Sequence, residues 1–101
     1  MAERFVYRFA WDPEKAAANR SKHGVTFEQA ATVFRDPIAL SLDDEGHSET
    51  EERWLTLGED EKRRAFVVSH TFEELSAEEA LVRVSSAREA TLHERAQYES
   101  G

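Results

Sequence analysis

Residues 27–42 read FEQAATVFRDPIALSL, and the period of their apolar side chains changes part-way along. Phe27, Ala30, Ala31 and Phe34 keep the i, i+3, i+4, i+7 spacing of one helical face, introduced by a capping-box pair, Thr26 and Gln29. Asp36-Pro37 ends that helix near Arg35, because the residue before a proline is pushed out of the helical region. Beyond the proline, Ile38, Leu40 and Leu42 alternate with small residues, which is the period of a strand with one buried face. The stretch therefore divides the chain into a helical first third and a strand-rich remainder, the order expected of an α+β fold.

Toward the N-terminus, Phe5, Tyr7, Phe9 and Trp11 recur at every second position and predict a strand. Asp12-Pro13-Glu14 supplies a capping carboxylate, a proline whose missing N–H costs nothing, and an acid in the positive first turn. The helix it opens should run to about Lys22 and stop at Gly24, with Lys22 and His23 as cations on its negative end. Toward the C-terminus, Arg53 to Gly58, Ala65 to Thr71 and Leu81 to Ser85 are short runs of branched and aromatic side chains joined by acidic connections. With residues 38–42 they predict a four-stranded antiparallel meander. Ser86 with Glu89 reads as a further capping box, opening a last helix from Ala87 to about Tyr98. The expected fold is α+β: an N-terminal strand and two helices, the meander, and a C-terminal helix.

A length of 101 residues leaves room for one hydrophobic core, so residues 1–101 are expected to form a single domain. Thirteen Lys and Arg stand against 21 Asp and Glu, a net charge of -8, so the surface as a whole repels nucleic acid and anionic lipid. Any polyanion would need a local basic site. The charge is uneven: residues 1–35 carry a net +2 and residues 36–101 a net -10. The absence of cysteine removes disulfides, thiol nucleophiles and cysteine-based zinc sites, and no apolar run approaches a signal core or a membrane span. A cytoplasmic protein with no membrane attachment is the plain expectation.

Most catalytic signatures fail. His93-Glu94 begins like a zinc-protease helix but lacks the second histidine four residues on, and four scattered glycines cannot build a phosphate loop. No metal and no cofactor are expected. What remains is a set of cations. Arg88, read into the first turn of the last helix, opposes the macrodipole, so either an anion or an acidic loop such as Glu73 and Glu74 should compensate it. Arg83 lies within a strand, facing either a cleft or an open sheet face. His70 ends an apolar run as a structural residue or a proton carrier, since imidazole titrates near neutral pH. Arg53 follows two glutamates that could pair with it, and Lys22 with His23 could simply cap a helix.

The order of motifs resembles the BrnT family of bacterial toxins. The resemblance is carried by Phe9-Ala-Trp-Asp-Pro-Glu-Lys15, Ala18-Asn-Arg-Ser-Lys-His-Gly24-Val25, Phe27, Ala30-Ala-Thr-Val-Phe34 and Asp36-Pro37. It continues through His47-Ser48, Glu52-Arg53-Trp54, Thr56-Leu57-Gly58, Val67-Val68-Ser69-His70-Thr71, Ser86-Ala87-Arg88, Glu94-Arg95 and Tyr98-Glu99, so it covers about residues 5–99. It implies a RelE-like ribonuclease toxin that cleaves RNA without a metal, inhibits translation and is neutralised by a BrnA-like antitoxin. Assembly with that antitoxin into a heterotetramer, with DNA reached only through the antitoxin, is also implied. Matched to the family's polar motifs, Arg53, His70, Arg88 and His23 become the candidate catalytic residues, and Lys22, Arg83 and Arg95 the candidate RNA-binding ones. The competing reading is a non-catalytic acidic module that keeps the toxin scaffold and binds a basic partner. The enzyme reading requires the arginines to open onto one groove with a histidine beside them.

Overall fold

A computed structural model describes residues 6–44 and 52–100. Phe5 and the acidic stretch from Glu45 to Glu51, with His47 inside it, lie outside the described residues. The elements follow in the order β1 (Val6–Ala10), α1 (Pro13–His23), α2 (Phe27–Thr32), a 3-10 turn (Val33–Arg35), β2 (Leu40–Asp43), β3 (Trp54–Glu59), β4 (Ala65–Glu74), β5 (Glu79–Glu89) and α3 (Leu92–Ser100).

The first helices begin and end on the signals written in the sequence. The Asp12 side chain accepts from the Glu14 N–H, Pro13 opens α1, and Gly24 closes it in the left-handed region at φ 71° with its N–H donated to the Arg20 carbonyl. Thr26 and Gln29 form a complete capping box at α2. The two helices bury Val25, Phe27, Ala30 and Val33 against Phe66, Val68, Val82, Val84 and Ala87 of the sheet, with Phe9, Trp11, Ala16 and Phe34 packed around them.

Strands β2, β3, β4 and β5 pair antiparallel in chain order, but the sheet is not the four-stranded antiparallel one expected. It has five strands in the order β1-β5-β4-β3-β2, and β1 lies parallel to β5, so the sheet is mixed. The strand that follows the helices, β2, runs opposite to β1, and three antiparallel reversals through β3 and β4 bring β5 back alongside β1 in the same direction. The sequence periodicity identified β1 without revealing its partner.

The end of the chain also differs. β5 continues through Ala87 to Glu89, so the capping box read at Ser86 and Glu89 does not form and Arg88 sits in a strand, not in the first turn of a helix. The working box lies five residues later: the Thr91 Oγ1 accepts from the Glu94 N–H, and the Glu94 carboxylate accepts from the Thr91 N–H. Pairing with β4 out to Phe66↔Glu89 outweighs the local cap signal. Residues 72–74 and 79–80 are strand, so the connection before β5 is only residues 75–78, closed by the Leu75 and Ser76 N–H groups on the Glu79 carbonyl.

One polar arrangement ties the layers. Asp36 accepts from the Ile38 and Glu59 N–H groups and from the Tyr98 hydroxyl at 2.5 Å, which fastens α3 to the end of α2. Burial alone would raise the Asp36 pKa, but those three donors hold it below the ordinary carboxylate value. Gly58 lies directly beneath: a Cβ there would come within 2.8 Å of Val33 Cγ1 and 3.0 Å of Ala39 Cβ, so the strand passes under the turn only as glycine.

Candidate functional site

Side chains alternate across a strand, so residues an odd number apart face opposite ways unless the ladder is interrupted. Arg83 and Arg88 are five apart, yet both lie on the face away from α1 and α2. The reason is a bulge. Ser69 pairs with Ser86 and His70 with Val84, leaving Ser85 as an extra residue on β5. Arg83 then stands opposite Thr71, and Arg88 opposite Val67, with Ser69 and Ser86 between them. Four residues of β4 separate the two arginine positions, roughly 13 Å along the strand. Arg53 directly precedes Trp54, whose side chain faces the helices, so alternation sends Arg53 toward the arginine face; its carbonyl accepts from the Asp44 N–H at 2.7 Å.

Arg88 is held in place. Its Nη1 and Nη2 donate to the two carboxylate oxygens of Glu94 at 2.8 Å each, and Nη1 also donates to the Glu89 carbonyl. That leaves Nε–H and one Nη2–H for a ligand. The guanidinium holds the Glu94 carboxyl well below the usual range, at about 2, so the pair stays ionised at any working pH. Arg83 is exposed and has no side-chain partner among the described residues. Arg95, on α3, is engaged with Glu59, Glu99 and the Arg63 carbonyl. Beside Arg88, the apolar side chains of Leu40, Leu42, Leu55, Leu57 and Val67 line a trough of about 250 Å3 against Glu94 and Gln97.

His70 belongs to the opposite face. It is 3% exposed, edge-on to Phe34 at 4.8 Å, and both ring nitrogens are used. Nδ1 lies 3.1 Å from the Thr71 carbonyl, which can only accept, so Nδ1 carries the proton and Nε2 accepts from the Thr56 hydroxyl at 2.7 Å. Thr56 in turn takes a hydrogen bond from Ser41 at 2.8 Å. Burial pushes the His70 pKa down, only partly opposed by the Thr71 carbonyl. This imidazole is a neutral member of an interior chain and does not reach the arginine face.

His23 stands elsewhere. The buried Asn19 amide donates to the Val25 and Ala87 carbonyls and accepts from the Ala87 N–H, taking the place of a neighbouring strand where β1 has already left β5. His23 is one turn beyond Asn19 on the same side of α1, since residues four apart share a helical face. The end of α1, with exposed Lys22 and His23, is thus anchored at the edge of the sheet through the residue next to Arg88.

The family model for the ribonuclease toxin BrnT of type II toxin-antitoxin systems matches residues 11–94. The chain belongs to the BrnT family. Among solved structures, the ribonuclease toxin BrnT of Brucella abortus matches with a TM-score of 0.56 and 20% identity, over 89% of this chain and 99% of that one. At that identity the likeness establishes a shared BrnT fold. Comparison with curated proteins found no match.

For this BrnT-family chain, the arrangement brings Arg83 and Arg88 together on one face with Arg53 at its margin, places Lys22 and His23 at an edge, and separates His70 from all of them. Asn19 carries no periodic signal in the sequence; the one clue to its role is a lone polar side chain on the inward side of α1. Among the described residues no group of three His, Asp or Glu gathers as metal ligands, and no helix is long and apolar enough to cross a membrane.

The buried imidazole sets an expected pH response. His70 has a lower pKa folded than unfolded, so the unfolded chain binds the extra proton and stability falls as pH drops below about 6.5, levelling off below the folded value. Urea unfolding at pH 7.5 and 5.5 should show the loss, and His70→Gln should flatten it; equal stability of the wild type at both pH values would contradict the assignment. Glu94 acts in a separate, more acid window: its contribution is present above 4.5 and disappears as pH falls toward about 2.

Proposed function

We propose that the chain is a metal-independent endoribonuclease whose open sheet face clamps the scissile phosphate. The observation that carries this is the Ser85 bulge, which turns Arg83 and Arg88 to the same side of the sheet. A ribose 2′-oxygen attacks the adjacent phosphorus, the P–O5′ bond breaks, the 2′-hydroxyl proton passes to a base, and the departing 5′-oxygen is protonated. The products are a 2′,3′-cyclic phosphate and a 5′-hydroxyl. Negative charge builds on the phosphoryl oxygens during attack, and fixed guanidinium donors in place beforehand stabilise it without reorganisation. Arg88 and Arg83 supply those donors, with Arg53 at the margin, and the Ser69, Thr71 and Ser86 hydroxyls complete a polar lining.

His23 is the proton carrier in this reading, supported by its place one turn beyond the Asn19–Ala87 bond, and Lys22 and Arg95 hold the RNA backbone on either side. His70 serves as a structural residue, because both its nitrogens are taken. The toxin acts in the cytoplasm, inhibits translation by destroying RNA on a RelE-like scaffold, and is neutralised by a BrnA-like antitoxin. The two form a heterotetramer that meets DNA only through the antitoxin.

One observation favours the alternative of a non-catalytic interaction module: Arg88 already has a carboxylate partner in Glu94. The same assay separates the two. Purified protein incubated with RNA in excess chelator should cleave it and leave 5′-hydroxyl ends. His23→Ala should slow that cleavage by about 10²- to 10⁴-fold, the usual worth of a positioned proton-transfer group. Cleavage that stops in chelator and returns with magnesium would refute metal independence; intact RNA under all conditions would favour the interaction module.

A further inference from the structure

The helices cover only one end of their sheet face. At the other end a cavity of about 230 Å3 opens between Tyr7, Phe34, Trp54 and Phe72, with Ser41 and His70 lining it. Tyr7 and Phe34 lie 5.7 Å apart between ring centroids and Phe34 meets His70 edge-on, so the walls are aromatic and firmly set. Tyr7 and Phe72 remain 38% and 39% exposed. Aromatic surface left uncovered beside a concavity is the composition of an interface anchor site.

Register identifies what surrounds it. Asp43 pairs with Trp54 and Glu74 with Ala80, so both carboxylates stand on this same face beyond the aromatic slot. An acidic rim repels RNA and attracts a basic segment. The interior adds no positive charge, because His70 donates one nitrogen's proton to a backbone carbonyl and accepts with the other. The chain's net charge of -8 acts in the same direction.

We propose that this slot is where the protein antitoxin docks, seating an apolar side chain among Tyr7, Trp54 and Phe72 and laying lysine or arginine residues on Asp43 and Glu74. This rests on the antitoxin reading above. The arginine face lies on the opposite side of the sheet, so the slot and the RNA site can be altered independently.

The test uses the full chain and a purified BrnA-like antitoxin. Phe72→Ala and Tyr7→Ala, both at part-exposed positions, and the charge-reversed Asp43→Lys and Glu74→Lys are titrated with antitoxin by calorimetry and assayed for RNA cleavage without it. Each variant should bind antitoxin at least tenfold more weakly, and wild-type binding should weaken with salt, while cleavage keeps its wild-type rate. Melting curves identify any aromatic variant that is unfolded, and the two charge variants then carry the test. If wild type fails to bind the antitoxin, the antitoxin reading falls and the slot proposal with it. If wild type binds and the slot variants bind equally well, only the slot proposal falls. If Phe72→Ala loses cleavage but keeps antitoxin binding, the slot is an RNA subsite and the proposal is overturned.

Discussion

Arg88→Ala is expected to slow RNA cleavage by about 10²- to 10³-fold, the usual cost of removing one preorganised donor from a site where charge develops. The fold should survive. The arginine side chain is 41% exposed, and an ion pair so open to water contributes only about 0 to 1 kcal/mol to stability. The loss should therefore appear in single-turnover cleavage with little change in the melting temperature. Arg88→Lys should recover only part of the rate, because an ammonium cannot grip Glu94 through two parallel bonds and still present further donors to phosphate. An Arg88→Ala protein that cleaves at the wild-type rate would remove this residue from the clamp.

Asn19→Ala should produce the largest loss of stability of any single polar truncation considered. Its amide satisfies the Val25 carbonyl and both backbone groups of Ala87, and the residue is 6% exposed. A buried group left without a partner costs about 1 to 3 kcal/mol, so three of them together should cost about 3 kcal/mol or more. Against a total of roughly 5 to 15 kcal/mol that is a large fraction, readable as a shift in the urea midpoint with little change in slope. The same truncation unfastens the end of α1 from β5, so RNA cleavage should fall further than the folded fraction alone explains. A variant as stable as wild type would show that α1 is held by its apolar contacts and that the Asn19 bridge is incidental.

The sequence was most informative where local chemistry decides structure. Asp12-Pro13 and Gly24 bound α1, Thr26 and Gln29 open α2, and the change of period after Pro37 marks the strands, because caps and periodicity act over a few residues. It was least informative where distant segments decide. Nothing near Val6–Ala10 states that β1 will lie parallel to β5. Nor does Ser85 announce a bulge, which exists only through the register with Ser69 and His70. Ser86 and Glu89 spell a cap as well as Thr91 and Glu94 do, and pairing with β4 selects between them. This choice moved Arg88 from a helix to a strand and replaced the helix-dipole argument with one about sheet faces. His70 illustrates the same limit: its place after an apolar run suits a catalyst or an interior residue equally, and the Thr56 and Phe34 contacts, made by segments far from it in sequence, put it in the interior.

If the arginine face holds the substrate, RNA lies across the open sheet face between Arg83 and Arg88. The most direct measurement is an amide chemical-shift map recorded while the protein is titrated with a 2′-O-methyl oligonucleotide, which binds but has no free nucleophile. Perturbations are expected to concentrate on Ser69, Thr71, Arg83, Ser86 and Arg88, extending to His23 and weakening as salt is raised. Perturbations centred on Tyr7, Phe72 and His70, with the arginine face undisturbed, would contradict it.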